Sequence, residues 1–155
     1  MDTSSARRPV AVLNGPNLNL LGEREPAIYG TASLHDIQAM CEEKLQDTGF
    51  SLVFEQHNSE GALIEAVQRN RKASALLINA AGYTHTSVAL LDALLMVEGP
   101  VIEVHLSSPA KRESFRHQSI IAPACQGVIA GFGVLSYRLA LDAAIALATP
   151  NADKT

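Results

Sequence analysis

Glu103, His105 and Ser107 alternate along an apolar run, so a strand there puts all three on one face and Val104 and Leu106 on the other. Ionisable side chains on a central strand are costly to bury. A histidine with a carboxylate two residues away on its own face is equipped for proton transfer, with Glu103 orienting or charging His105. The competing reading is a histidine satisfied within the core. A second group runs from Asn79 through Tyr83, Thr84, His85 and Thr86 to Ser87, leading into a helix start whose backbone N–H groups and dipole favour an anion. Helix capping by Thr86 or Ser87 accounts for the hydroxyls but not for Asn79 and His85. A third segment, residues 14–30, is longer than the roughly 2–6 residues of an ordinary strand-to-helix turn and carries Asn17, Arg24 and Tyr29. Gly22 and Gly30 fit the hinges of a lid around Arg24 and Tyr29, and equally fit turn glycines beside a surface arginine.

These groups sit in a chain that alternates strand and helix. Val10 to Asn14 is an apolar run that ends in a turn at Gly15 and Pro16. Ser33 with Asp36 three residues later opens a helix in capping-box style, and Leu34, Ile37, Cys41 and Leu45 recur at helical spacing until Gly49. A strand over Ser51 to Gln56 and a helix from about Glu60 to Asn70 follow, with Leu63, Ile64 and Val67 as the apolar stripe. Ala75 to Asn79 is the third strand and Ser87 to Val97 the next helix. Gly99 and Pro100 break the chain before the strand Val101 to His105. Gly127 to Phe132 and Gly133 to Leu147 supply a fifth strand and a closing helix. Apolar strands separated by helices imply a parallel sheet covered on both faces: an α/β, flavodoxin-like three-layer sandwich with five parallel strands. In such a sheet ligands lie beyond the carboxyl ends of the strands, where all three polar groups fall. Residues 9–148 are expected to form a single catalytic domain, with a frayed leader over 1–8 and a polar tail over 149–155.

Composition narrows the chemistry. A length of 155 residues, 47 % of them hydrophobic and 18 % charged, suits one ordinary globular domain. A net charge of −4 argues against a nucleic-acid partner, which calls for a basic face. The stretch Met1 to Arg8 is too poor in apolar residues for a signal-peptide core, and no apolar run is long enough for a membrane span. The two cysteines, Cys41 and Cys125, suggest neither a disulfide framework nor a metal or redox motif, which suits the reducing cytoplasm. The five histidines have no close metal-ligand spacing, so no metal is expected, and phosphate-loop and dinucleotide fingerprints are missing, so no cofactor is expected either. There is no GxSxG nucleophile motif. The four lysines, Lys44, Lys72, Lys111 and Lys154, fall in helices, loops or the tail, which disfavours Schiff-base chemistry from a buried strand lysine. Acid–base work by Tyr, His and Arg remains.

The blocks Asn14-Gly-Pro-Asn-Leu-Asn-Leu-Leu-Gly, Arg24-Glu-Pro followed by Tyr29-Gly, Thr84-His-Thr-Ser, Glu103-Val-His and Arg112-Glu-Ser-Phe-Arg resemble, in order, the signature blocks of type II 3-dehydroquinate dehydratase. The resemblance runs from about Val10 to Ile145. It implies loss of water from 3-dehydroquinate to give 3-dehydroshikimate through an enolate, without a covalent imine and without a cofactor. By resemblance Tyr29 is the general base. A tyrosine of ordinary pKa near 10 is only about one part in a thousand phenolate at pH 7, so a cation must favour the anion, and Arg24, matching the family's lid arginine, is the expected one. Asn17 is implied to hold the water that stabilises the enolate. His105 is the implied acid toward the departing hydroxyl, supported by Glu103. Asn79 and the backbone N–H groups of Leu106 and Ser107 are implied to bind the substrate carboxylate, and His85 and Arg116 the ring hydroxyls. Arg112 is expected to order local structure. Asp92 matches a residue that reaches a neighbouring subunit's substrate, in line with a homododecamer built as a tetramer of trimers.

The chain departs from the family pattern at Ala81-Gly82, where Gly-Ala or Gly-Gly is more usual, and at His57, Ser108 and Ile120. Ala81 bears most directly on the pocket. Two rival readings are a receiver-like regulatory module, which lacks its acidic cluster because Asn14 and Asn79 stand there, and another lyase or hydrolase on the same scaffold.

Overall fold

The computed structural model describes residues 7–23 and 25–149. Arg24 and the outer parts of the expected leader and tail therefore lie outside the described residues. Arg7 and Arg8, the end of that leader, are hydrogen bonded to the carbonyls of Thr48 and Lys72 at 3.0 and 3.4 Å.

Five strands, β1 (Val10–Asn14), β2 (Leu52–Gln56), β3 (Ala75–Asn79), β4 (Val101–His105) and β5 (Gly127–Ala130), form one parallel sheet in the order β2-β1-β3-β4-β5. The helices are α1 (Pro26–Tyr29), α2 (Leu34–Leu45), α3 (Glu60–Arg69), α4 (Val88–Leu94) and α5 (Leu135–Ala148). Strand alternation splits the core into two layers. Val10, Val12, Leu77 and Val104 pack with Ile37 and Cys41 of α2 and Tyr137 and Leu141 of α5. Ala11, Leu13, Leu76 and Ile78 pack with Leu63 and Val67 of α3 and Leu90 and Leu94 of α4. The three-layer parallel sandwich is the one expected from the alternation of elements, and its strand order places the reversal of connection between β1 and β3.

Local chemistry sets the boundaries. Ser33 accepts from the Asp36 N–H at 3.1 Å while Asp36 accepts from the Ser33 N–H at 2.9 Å, a complete capping box at the start of α2. These bonds hold the Asp36 carboxyl below its ordinary value. β5 stops at Ala130, two residues short of the expected Phe132, because Gly131 turns to φ +96° and the Phe132 N–H goes to Ser136 Oγ at 3.0 Å instead of to a strand. α4 ends at Leu94, short of the expected Val97, because Met96 and Val97 donate to carbonyls three residues back, tightening the last turn before Gly99. The long first loop contains a turn of helix, α1, with Pro26 at its first position.

Candidate active site

The carboxyl ends of β1, β3 and β4 open onto one cleft of about 180 Å³. Asn17 and Tyr29 come to it from the loop after β1, and Asn79 and His85 from the end of β3 and the turn beyond it. His105, Leu106, Ser107 and Arg116 come from β4 and the segment that follows. Eight of the expected site residues thus line a single cavity. Glu103 stands behind His105. Asp92 is exposed on α4 and does not line this cleft, and Arg24 lies outside the described residues.

His105 is 7 % exposed and its Nε2 lies 2.6 Å from Glu103 Oε2. A carboxylate only accepts, so Nε2 carries the proton and Nδ1 is left as the ring atom for a ligand. The other Glu103 oxygen accepts from Ser119 Oγ at 2.7 Å. The 1 % exposed carboxylate is therefore fixed at both ends, as a buried charge must be. Cys125 is nearby, and burial together with the Glu103 charge pushes its thiol up to about 12, which keeps it from acting as a nucleophile. His85 is fixed in the same manner: its Nδ1 donates to the Gln118 carbonyl at 2.8 Å, leaving Nε2 available.

The Tyr29 hydroxyl accepts from Arg112 Nη1 at 3.0 Å, and the guanidinium also donates to Ser107 Oγ at 3.2 Å and lies 5.3 Å from the Tyr29 ring centroid. Arg112 was expected only to order local structure. Its contact with the phenol oxygen puts a cation where a tyrosine base must carry negative charge. The signal in the sequence was its place in the Arg112–Arg116 pair, but nothing in that spacing tells which arginine meets Tyr29. Arg116 itself donates to Glu113 Oε2 at 2.5 Å and stacks on Phe115.

Asn17 takes a left-handed φ of 70°, which Asn tolerates. Its N–H donates to Asn58 Oδ1 at 3.0 Å, and Gln56 Nε2 donates both to Asn58 Oδ1 and to the Gly15 carbonyl, so the end of β2 pins the loop that carries Asn17. The unusual His57 plays no part in the cleft: it pairs with Glu55 at 3.0 Å. Burial opposes ionisation of Glu55, but hydrogen bonds from His57, Arg69 and Asn70 outweigh it and hold that carboxyl below its ordinary value. Among the described residues no three His, Cys, Asp or Glu side chains gather as a metal site would require.

The profile of the family described as Dehydroquinase class II matches residues 8–145. The chain belongs to the class II dehydroquinase family. A 3-dehydroquinate dehydratase of Phenylobacterium zucineum is 54 % identical over 142 residues, covering 91 % of this chain and 98 % of that protein. One from Caulobacter sp. strain K31 is 54 % identical over 145 residues, covering 93 % and 99 %. The crystal structure of type II dehydroquinase from Propionibacterium acnes superposes with a TM-score of 0.86 at 38 % identity, covering 92 % of this chain and 99 % of that one.

Within this dehydroquinase fold Ala81 carries a strain its neighbours do not. It lines the cleft at φ +51°, a left-handed conformation that costs an L-residue about 1–2 kcal/mol. Ala81→Gly removes that cost but adds freedom to the unfolded chain, so a net gain of about 0.5–1 kcal/mol is expected. Thermal unfolding checks it: a rise in Tm of about 1–4 °C is the expected result, and a fall would show that Ala81 is not strained.

Proposed function

We infer that this chain eliminates water from 3-dehydroquinate to give 3-dehydroshikimate through an enolate, without a Schiff base. The observation that carries the reading is the pairing, in one cleft, of a tyrosine hydroxyl held by an arginine with a histidine held by a buried carboxylate. One can take a proton from the carbon beside the ketone and the other can give one to the departing hydroxyl. In the reaction Tyr29 is the base, with Arg112 and, from the lid, Arg24 supplying positive charge at its oxygen. As the proton leaves carbon, charge moves to the ketone oxygen, where a water held by Asn17 receives it in hydrogen bonds. His105 then donates from Nδ1 to the leaving hydroxyl, and Glu103 stabilises the imidazolium before transfer and keeps the ring aligned.

Binding uses the remaining residues. Asn79 and the N–H groups of Leu106 and Ser107 hold the carboxylate, and His85 and Arg116 hold ring hydroxyls. Asp92 serves a neighbouring copy in a homododecamer, a tetramer of trimers. Its exposed place on α4, beside Val88, Leu95 and Met96, which are 58 %, 61 % and 57 % exposed, supports that assignment, because a helix face so apolar favours burial against another subunit. The cytoplasm is the compartment that fits two unpaired cysteines, and no helix among the described residues is long and apolar enough to cross a membrane.

The test is conjugated-enone absorbance after addition of 3-dehydroquinate, repeated after borohydride treatment with substrate present. Turnover that survives borohydride is expected. No turnover would sink the reading, and inactivation by borohydride would replace the enolate route with an imine.

A further inference from the structure

Behind the cleft two buried side chains that the reaction outlined above does not use, Tyr137 and Asn14, form a hydrogen-bonded chain that ends on Asn79. Tyr137, in α5, is 0 % exposed and does not line the cleft. Its hydroxyl donates to Asn14 Oδ1 at 2.7 Å and accepts from Asn79 Nδ2 at 2.8 Å. Asn14 Nδ2 donates in turn to the Glu55 carbonyl at 3.0 Å, and Asn79 Oδ1 accepts from the Ala81 N–H at 3.2 Å.

The direction of this chain follows from its ends. A backbone carbonyl only accepts, so the Asn14 amide must turn its NH₂ to Glu55 and its oxygen to Tyr137. An amide oxygen only accepts, so Tyr137 spends its single proton there. Burial pushes that phenol above the ordinary tyrosine value, although the Asn79 bond acts the other way, and the proton stays on. Having no second proton, the Tyr137 oxygen must accept from Asn79, whose NH₂ is thereby turned toward it. The Ala81 N–H, which only donates, demands the same orientation from the other side.

We propose that Tyr137, with Asn14 behind it, is a positioning residue that holds the Asn79 amide in one flip state, so that an N–H and not a carbonyl oxygen is offered to the carboxylate of the substrate. The inference rests on the reading of Asn79 as a substrate-binding residue. Asn79 is 4 % exposed and lines the cleft, and its Nδ2 keeps a second proton beyond the one given to Tyr137. If the amide were flipped, its oxygen would face the anion and repel it. Tyr137 thus acts on binding from a position that never touches the ligand.

The experiment is steady-state kinetics on Tyr137→Phe, Asn79→Ala and the double variant, with Leu141→Ala, on the same helix and equally buried, as the control for lost stability. Tyr137→Phe is expected to raise KM about tenfold with kcat within about twofold, since carboxylate binding is shared by ground and transition states. In the Asn79→Ala background it is expected to change KM less than about twofold. Leu141→Ala is expected to lower Tm without moving KM. Asn14→Ala frees the Tyr137 proton to be given to Asn79, and the same rise in KM with the tyrosine ring still in place is expected; this variant serves also where Tyr137→Phe does not fold. An unchanged KM in both Tyr137→Phe and Asn14→Ala, or an equal rise with and without Asn79, overturns the proposal while leaving the role of Asn79 intact. An unchanged KM in Asn79→Ala overturns that role and the proposal together.

Discussion

Tyr29→Phe is expected to lower kcat about 10²–10⁴-fold while leaving KM and Tm nearly unchanged. The phenol oxygen is where Arg112 directs its Nη1 at 3.0 Å, and the ring is half-buried against the first core layer. Phenylalanine keeps the ring and its packing and removes only the oxygen proposed to take the proton. The guanidinium retains Ser107 Oγ as a partner at 3.2 Å, so the wall of the cleft is not left with an unsatisfied cation. Stopped-flow or steady-state enone absorbance, with circular dichroism for the fold, checks it. A loss of less than about tenfold would mean that another group removes the proton.

Gly15→Ala is expected to cost about 3 kcal/mol of stability and about 10²-fold in kcat/KM. A Cβ built at Gly15 would lie 2.5 Å from the Ala80 carbonyl oxygen and 2.7 Å from its carbon, both backbone atoms of the segment leaving β3. No rotamer relieves such a contact; β1 and β3 must separate. The Gly15 N–H bond to the Asn79 carbonyl, 2.8 Å, and the chain from Asn14 through Tyr137 to Asn79 cross that seam. The damage therefore reaches activity as well as folding. Denaturant unfolding and kinetics on the same preparation test both parts, and a variant as stable and active as the native chain would show that the two loops have room to spare.

How far the fold could be read from the chain depended on the range of the interaction. β1, β3 and β4 are apolar runs ended by Asn14, Asn79 and His105, and they lie where periodicity places them. The alternation of Glu103 and His105 was legible for the same reason, since two residues along a strand is a fixed geometry. Arg112 was not. Its partner Tyr29 is 83 residues away, and local spacing carries no information on which cation crosses that distance. Tyr137 was hidden more deeply, because in a helix rich in Ala and Leu it reads as one more core residue, and its partner Asn14 is 123 residues distant. α1 escaped notice because four residues make a single turn, too short to show a period.

The strand register has a kinetic consequence. β1 meets β2 at Val10 opposite Leu52 and β3 at Val10 opposite Ala75, so every pairing must close a loop of many residues before it returns any stabilisation. Helices α2, α3 and α5 can form from neighbours alone, but a parallel sheet has no hairpin from which to zip. No contiguous piece of the chain holds the cleft, since Asn17 follows β1, Asn79 ends β3 and His105 ends β4, drawn from the beginning, middle and later part of the sequence. During refolding the catalytic arrangement comes into being only when β1, β3 and β4 lie side by side, and a break in either seam abolishes it.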